Sequence, residues 1–388
     1  MADTASIDAA MRAATSDGMV AGVVAMACSA DGLLYEGSFG TADLATSAPM
    51  QPDAIFRLAS MTKAITSAAA MRLVEEGRLS LDAPIGDVLP HLAARQVLDG
   101  FADDGTPRLR PAVGEVTLRQ LLSHSAGYSY EFWNADYSRM CNGLGIAALP
   151  GSHEELARIP LLFDPGTAWN YGINTDIVGY AIEAATGQEL GAYLREAITG
   201  PLGMDDTTWA LTEAQKPRVV GTHQRQPDGT LVPTNRPPPK GPGFLAGGGG
   251  LLGTAADYLR FLRMLLNGGS LDGATILRPE TVAAMGRNQL GSIPVTPMRT
   301  AMPMLSYDVD LFPGTTPGWS LAFLTNPEPG PHGRPAGSLA WAGMLNTYYW
   351  LDPSNGLAGV VMTQSFPFAD PHALGLLAAL ERGVYAGR

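Results

Sequence analysis

The chain has 388 residues, 46% of them hydrophobic and 16% charged, with a formal net charge of −12. That apolar fraction supplies a sizeable core and excludes global disorder, and the length allows two lobes or one large elaborated domain. The acidic balance argues against nucleic acid and anionic membranes as partners, and no apolar run approaches the roughly 20 residues needed to span a bilayer.

In chain order, Met1-Ala2-Asp3-Thr4 lacks a basic leader, and Ser6 to Ala14 has helical spacing. The apolar run Met19 to Cys28 is short, follows Asp17-Gly18, and reads as a strand rather than a signal segment. Val20 to Cys28 and Leu33 to Phe39 form two strand-like runs joined by Ser29-Ala30-Asp31-Gly32, a hairpin signal. Ile55 to Leu58 leads into an Ala-rich helix that Gly77 stops. From Leu81 to about Gly221 the pattern is mostly helical, as in Leu118 to Leu122, Ile177 to Ala184 and Leu190 to Ile198. Pro233 to Gly250 is a loop containing Pro237-Pro238-Pro239, and Ala255 to Leu266 is an apolar helix. Gly291 to Gly337, rich in Pro, Gly, Met and Thr, reads as a flap or pocket wall. Leu339 to Ala342, Thr347 to Leu351 and Gly359 to Thr363 are strand-like, and His372 to Val384 is a last helix. Strands at both ends with helices between predict a sheet assembled from the two termini, with a helical region inserted. Cys28 and Cys141 alone give no disulfide framework, so a cytoplasmic setting is expected, with a single bridge left open.

Within this pattern Ser60 and Lys63 lie three apart where the Ala-rich helix begins, so they share a face one turn apart. Lysine is scarce: Lys63, Lys216 and Lys240 are the only ones, and neither of the others has Ser three residues before it. Ala64, Ile65, Ala68, Ala69, Ala70 and Met71 make the helix apolar on most sides and place it inside the protein. A lysine buried there loses charge by desolvation and becomes available as a base for the Ser60 hydroxyl. The plain alternative is a solvated lysine on an ordinary helix that Ser60 caps. A Ser/Lys pair needs a proton relay, and Tyr171, after the Asp164-Pro165-Gly166 turn, is the best candidate, although taken alone one Tyr among 12 reads more readily as structural.

Ser60-Met61-Thr62-Lys63, Asp164-Pro165-Gly166 with Tyr171, and Trp341-Ala342-Gly343, in that order, resemble the serine hydrolases related to class C β-lactamases and penicillin-binding proteins. The resemblance is strongest to the family VIII carboxylesterases. Leu121-Leu122-Ser123-His124-Ser125-Ala126-Gly127, Gly249-Gly250-Leu251 and Trp350-Leu351-Asp352-Pro353 echo it, and it covers about Val20 to Val384. It implies an α/β (α+β) β-lactamase-like fold, with residues 1–80 and 222–388 forming the domain with the antiparallel sheet, residues 81–221 a mostly helical domain, and the active site between them.

The resemblance makes Ser60 the nucleophile that forms an acyl-enzyme and Lys63 with Tyr171 the general base and acid. It puts the oxyanion between the backbone N–H groups of Ser60 and Met344, with Trp341 and Gly343 at the substrate. The β-lactamases carry Lys-Thr-Gly where this chain has Trp341-Ala342-Gly343, and Asn two residues after the Tyr where it has Ile173. An indole cannot bind a β-lactam carboxylate as that Lys does, so a neutral ester of a small or medium acyl chain is the expected small-molecule substrate. No Gly-x-Ser-x-Gly elbow surrounds Ser60, which disfavours a Ser-His-Asp triad, and His124 lies in a motif that the resemblance makes structural. The remaining histidines show no metal spacing and Gly247 to Gly250 lacks Gly-Lys-Ser/Thr, so neither a metal nor another cofactor is expected, and close backbone packing is the reading of the glycines. Trp133, Tyr128 and Phe244 fit an acyl pocket or a core equally. An acyltransferase using the same residues is the nearest rival, followed by an amidase or β-lactamase; a catalytically silent binding relative would usually have lost Ser, Lys or Tyr.

Overall fold

The structure, a computed structural model of the chain, describes residues 2–234, 244–310, 312 and 314–386. Helix α1 (Thr4–Ser16) starts where the Asp3 carboxylate accepts the Ser6 N–H, and it buries Ile7 and Met11. Strands β1 (Gly22–Ser29) and β2 (Leu33–Asp43) form the expected hairpin, and the short β3 (Ala48–Pro49) follows. The other end of the chain adds β4 (Gly318–Trp319), β5 (Leu324–Thr325), β6 (Leu339–Gly343), β7 (Thr347–Asp352) and β8 (Leu357–Met362). The sheet order is β4-β5-β6-β7-β8-β1-β2-β3, antiparallel throughout, and the β1–β8 pair joins the two ends of the chain.

Alternation along β1 explains its unbroken apolar run. Val23, Ala25 and Ala27 face α1 and the last helix, together with Ile7, Met11, Trp350, Val361 and Leu380. Val24, Met26 and Cys28 face the larger core, which holds the central helices. Both faces are covered, so the strand has no polar side. Helices α2 (Thr62–Glu75), α3 (Asn174–Thr186), α4 (Ala255–Leu266) and α5 (Pro371–Tyr385) match the helical stretches read from the sequence to within a few residues.

Two features depart from the sequence reading. Gln96–Phe101 and Pro107–Pro111 form a hairpin inside the region read as mostly helical. The segment Gly291 to Gly337 is more than a flap, because its β4 and β5 extend the central sheet by two short strands. Pro237-Pro238-Pro239 lies outside the described residues. The division at residues 81 and 222 is our proposal, supported by Thr222–Arg225, which opens the return to the sheet side by pairing with Ser365–Phe366. Among the described residues no helix is long and apolar enough to cross a membrane, and Cys28 and Cys141 are buried and unpaired.

Candidate active site

Ser60 does not open α2. It sits in a single 3-10 turn, Ala59–Met61, and the α-helix begins at Thr62. The turn is entered through Ala59 in the left-handed region at φ 46°, an arrangement costly for a residue with a Cβ. Ser60 keeps partial exposure, whereas Lys63, one turn on, is 2% exposed. Lys63 Nζ lies 3.1 Å from Ser60 Oγ, 3.0 Å from the Tyr130 hydroxyl and 2.7 Å from the Gly248 carbonyl. Three acceptors match the three N–H bonds of an ammonium. A neutral amine has only two, so one partner must then donate to its lone pair, and the Ser60 hydroxyl can do so while the Gly248 carbonyl cannot. Burial pulls the Lys63 pKa down to about 7, against an opposing pull from Asp176.

Tyr171 is held by the segment around His124. The Gly166 N–H donates to the Ser125 carbonyl and the Asn170 N–H to the His124 carbonyl, at 2.7 and 2.9 Å. His124 Nδ1 faces the Gly172 N–H at 3.4 Å and the Asn174 side-chain amide at 2.9 Å. Its imidazole is buried, and desolvation pushes its pKa well below the usual histidine value. His124 therefore braces the loop that carries Tyr171, the structural role that the family resemblance implied. Gly172 admits no side chain, since a Cβ there would lie 2.4 Å from the Ser129 backbone.

The Tyr171 hydroxyl accepts the Trp341 indole N–H at 2.8 Å, and its ring lies 4.8 Å from Lys63 Nζ. Burial raises the Tyr171 pKa, with hydrogen bonds from Ser60 and Trp341 opposing, so the phenol keeps its proton near neutrality. The sheet delivers Trp341 on β6. Gly343 ends that strand against the Ser60 turn, where a Cβ would lie 2.3 Å from the Leu58 carbonyl. Met344 follows directly.

Ser60, Lys63, Tyr171, Trp341 and Gly343 thus converge as the sequence reading required, and Gly247–Gly248 packs closely between helices. Ile173 is fully buried. Trp133 stands 5.5 Å from the Tyr171 ring, whereas Tyr128 is in the core and Phe244 packs on His153. Two residues of the site were not singled out from sequence: Tyr130, against Lys63, and Asp176, whose Oδ1 accepts the Gly248 N–H at 2.6 Å. Neither carries a spacing signal, since an acid in the first turn of α3 reads as an ordinary helix-dipole partner. Trp169, Val295, Met298, Val309, Phe312 and Trp341 line a cavity of about 60 Å³ beside this cluster. Among the described residues no group of three or more His, Cys, Asp or Glu is placed to hold a metal ion.

The geometry is that of a serine nucleophile with a buried amine base, and the β-lactamase family model matches residues 7–383. The chain belongs to the β-lactamase family. A lovastatin esterase of Penicillium rubens is 33% identical over 92% of this chain and 92% of its own. A monacolin J acid methylbutanoyltransferase of Aspergillus terreus is 33% identical over 98% of this chain and 95% of its own. The structure of a simvastatin synthase mutant from Aspergillus terreus superposes with a TM-score of 0.84 at 32% identity, covering 98% of this chain and 94% of that one. These relatives bear out the resemblance to β-lactamase-related esterases and the β-lactamase-like fold. The chain is accordingly a serine-hydrolase enzyme of the β-lactamase superfamily, with esterases and acyltransferases among its relatives.

Proposed function

We propose that the protein is a carboxylesterase that hydrolyses small to medium acyl esters through an acyl-enzyme on Ser60. The observation that carries this reading is the 3.1 Å contact between Ser60 Oγ and a Lys63 amine buried to a pKa of about 7. Ser60 Oγ attacks the ester carbonyl while its proton passes to Lys63 Nζ. Lys63 is the base because it alone of the groups around Ser60 changes charge near neutrality; burial holds the Tyr130 and Tyr171 phenols protonated. Tyr171 hands a proton to the leaving alcohol, is replenished through Lys63, and is oriented by the Trp341 N–H. The N–H groups of Ser60 and Met344 receive the oxyanion. Water then attacks the acyl-enzyme by the reverse relay.

Trp341 borders two cavities, one of about 60 Å³ that is largely apolar, beside Trp169 and Val295, and one of about 230 Å³ beside Tyr348 and Tyr349; the smaller supports the reading of a short acyl chain. Trp341 spends its N–H on Tyr171 and brings no cation to a β-lactam carboxylate. The acyltransferase reading stands second, supported by the transferases among the relatives; an acceptor alcohol would replace water in the last step. A cytoplasmic setting is also proposed, supported by the two unpaired cysteines.

A panel of p-nitrophenyl esters from acetate to decanoate, with a chromogenic cephalosporin alongside, tests this. The expected result is highest kcat/KM at short to medium chain length, far weaker cephalosporin turnover, and no ester turnover in Ser60→Ala. Full activity in Ser60→Ala would sink the assignment, and a dominant ester product with added alcohol would favour the transferase.

A further inference from the structure

We infer that Asp176 is a positioning residue for the base, holding Lys63 through Gly248 and supplying the counter-charge for the ammonium that forms when Ser60 gives up its proton. This rests on the reading of Ser60 and Lys63 above. Asp176 is the third residue of α3, 6% exposed, on the side of that helix facing α2. The Gly247–Gly248 segment threads between the two helices. Thr66 Oγ1 donates to the Gly247 carbonyl at 2.7 Å, the Gly248 N–H donates to Asp176 Oδ1 at 2.6 Å, and Lys63 Nζ donates to the Gly248 carbonyl at 2.7 Å. One residue thereby joins the carboxylate to the amine, and no side chain fits between them. A Cβ on Gly248 would lie 2.8 Å from Asp176 Oδ1 and 3.1 Å from Lys63 Nζ. A Cβ on Gly247 would lie 2.5 Å from the Thr175 carbonyl and 3.0 Å from Gly179 Cα.

The groups facing Lys63 come from every element around it. Its own turn supplies Ser60, the segment after residue 123 supplies His124 and Tyr130, the next loop supplies Tyr171, and α3 supplies Asp176. His124 is neutral and both phenols keep their protons, so Asp176 is the charge acting on Lys63. An unpaired ammonium in this setting would be strongly disfavoured. The carboxylate lowers that cost at the step where it arises. As the Ser60 Oγ–carbonyl bond forms, the hydroxyl proton moves to Lys63 Nζ, negative charge goes to the carbonyl oxygen, and the Asp176 carboxylate faces the new ammonium. Burial raises the Asp176 pKa, and the Lys63 charge, the Gly248 N–H and the helix N-terminus pull it back toward the carboxylate.

The test is the pH dependence of kcat/KM for a p-nitrophenyl ester in Asp176→Asn, which keeps the shape and an acceptor for the Gly248 N–H but removes the charge. Without its counter-charge the ammonium is less stable and deprotonates at lower pH. The acid limb should therefore move down by about one pH unit, so that the variant retains up to about tenfold more of its plateau activity below the wild-type limb, while the plateau itself falls. Gly248→Ala, which keeps the carboxylate but pushes it away from the amine, should move the limb the same way. A purely structural role lowers the plateau or the melting temperature and leaves the limb in place. A wild-type limb in either folded variant overturns the inference, whereas turnover that survives Ser60→Ala would instead overturn the functional reading beneath it.

Discussion

Lys63→Arg is expected to lower kcat/KM by about 10³-fold or more, although it keeps the positive charge and most of the length. The wild-type amine is useful because burial brings it to a pKa of about 7, so that it is substantially neutral when it meets Ser60. A guanidinium stays protonated under any condition the fold survives and offers no lone pair. The planar fork also cannot reproduce the three contacts of Nζ with Ser60, Tyr130 and the Gly248 carbonyl. General-base removal alone is worth about 10²–10⁴-fold. Combining Lys63→Arg with Ser60→Ala should cost little beyond either change, because the two act as a unit.

The same pKa fixes the direction of the wild-type pH profile. The ammonium is inactive and the amine active, so kcat/KM should rise with pH through about 7 and level off above it. A profile that falls across this range would mean that a protonated group with a similar pKa does the work. Steady-state kinetics between pH 5 and 9 on purified protein decide it.

Gly343→Ala is expected to damage turnover more than it damages stability. The new methyl would lie 2.3 Å from the Leu58 carbonyl and 2.3 Å from Thr347 Oγ1. The carbonyl is backbone, two residues before Ser60, so the strand and the nucleophile turn must separate. Overpacking of this kind costs about 1–3 kcal/mol of stability. The two proposed oxyanion donors stand on opposite sides of that contact, and losing one such donor lowers kcat by about 10²–10³-fold. The variant should fold, melt somewhat lower and bind substrate with little change in KM while kcat collapses. A wild-type kcat would place the oxyanion elsewhere. A melting curve and Michaelis–Menten parameters measured together separate the two effects.

The parts legible in the sequence were those that short-range pattern controls. Ser60 and Lys63 are one turn apart, Ser60 in the 3-10 turn that leads into the apolar helix carrying Lys63, so their contact needs only that short stretch to form. Tyr171 and Trp341 required motif order as well as spacing, because the distance between them in the chain is bridged only when β6 packs against the Ser60 turn. Tyr130 and Asp176 were not legible. Tyr130 reaches Lys63 across 67 residues, and Asp176 acts on it through the backbone of Gly248, so neither interaction leaves a periodic trace. In the sheet, β1, β2, β6, β7 and β8 are long enough for alternating or continuous apolar runs to register. The two-residue β4 and β5 are fixed by pairing with neighbours, and their own composition of Gly, Trp, Leu and Thr says little. The hairpin Gln96–Pro111 was hidden for a related reason. Its strands carry Arg, Asp and Gln on exposed positions and pair around a register shift between Leu98 and Phe101.

The central claim is a covalent acyl group on Ser60, and it is met most directly by intact-protein mass spectrometry after rapid acid quench during turnover of a p-nitrophenyl ester. The expected result is a mass increase of one acyl group, located to the peptide carrying Ser60, absent in Ser60→Ala and lost on chasing with water or an alcohol. An adduct on a different residue, or an adduct that still forms in Ser60→Ala, would contradict it.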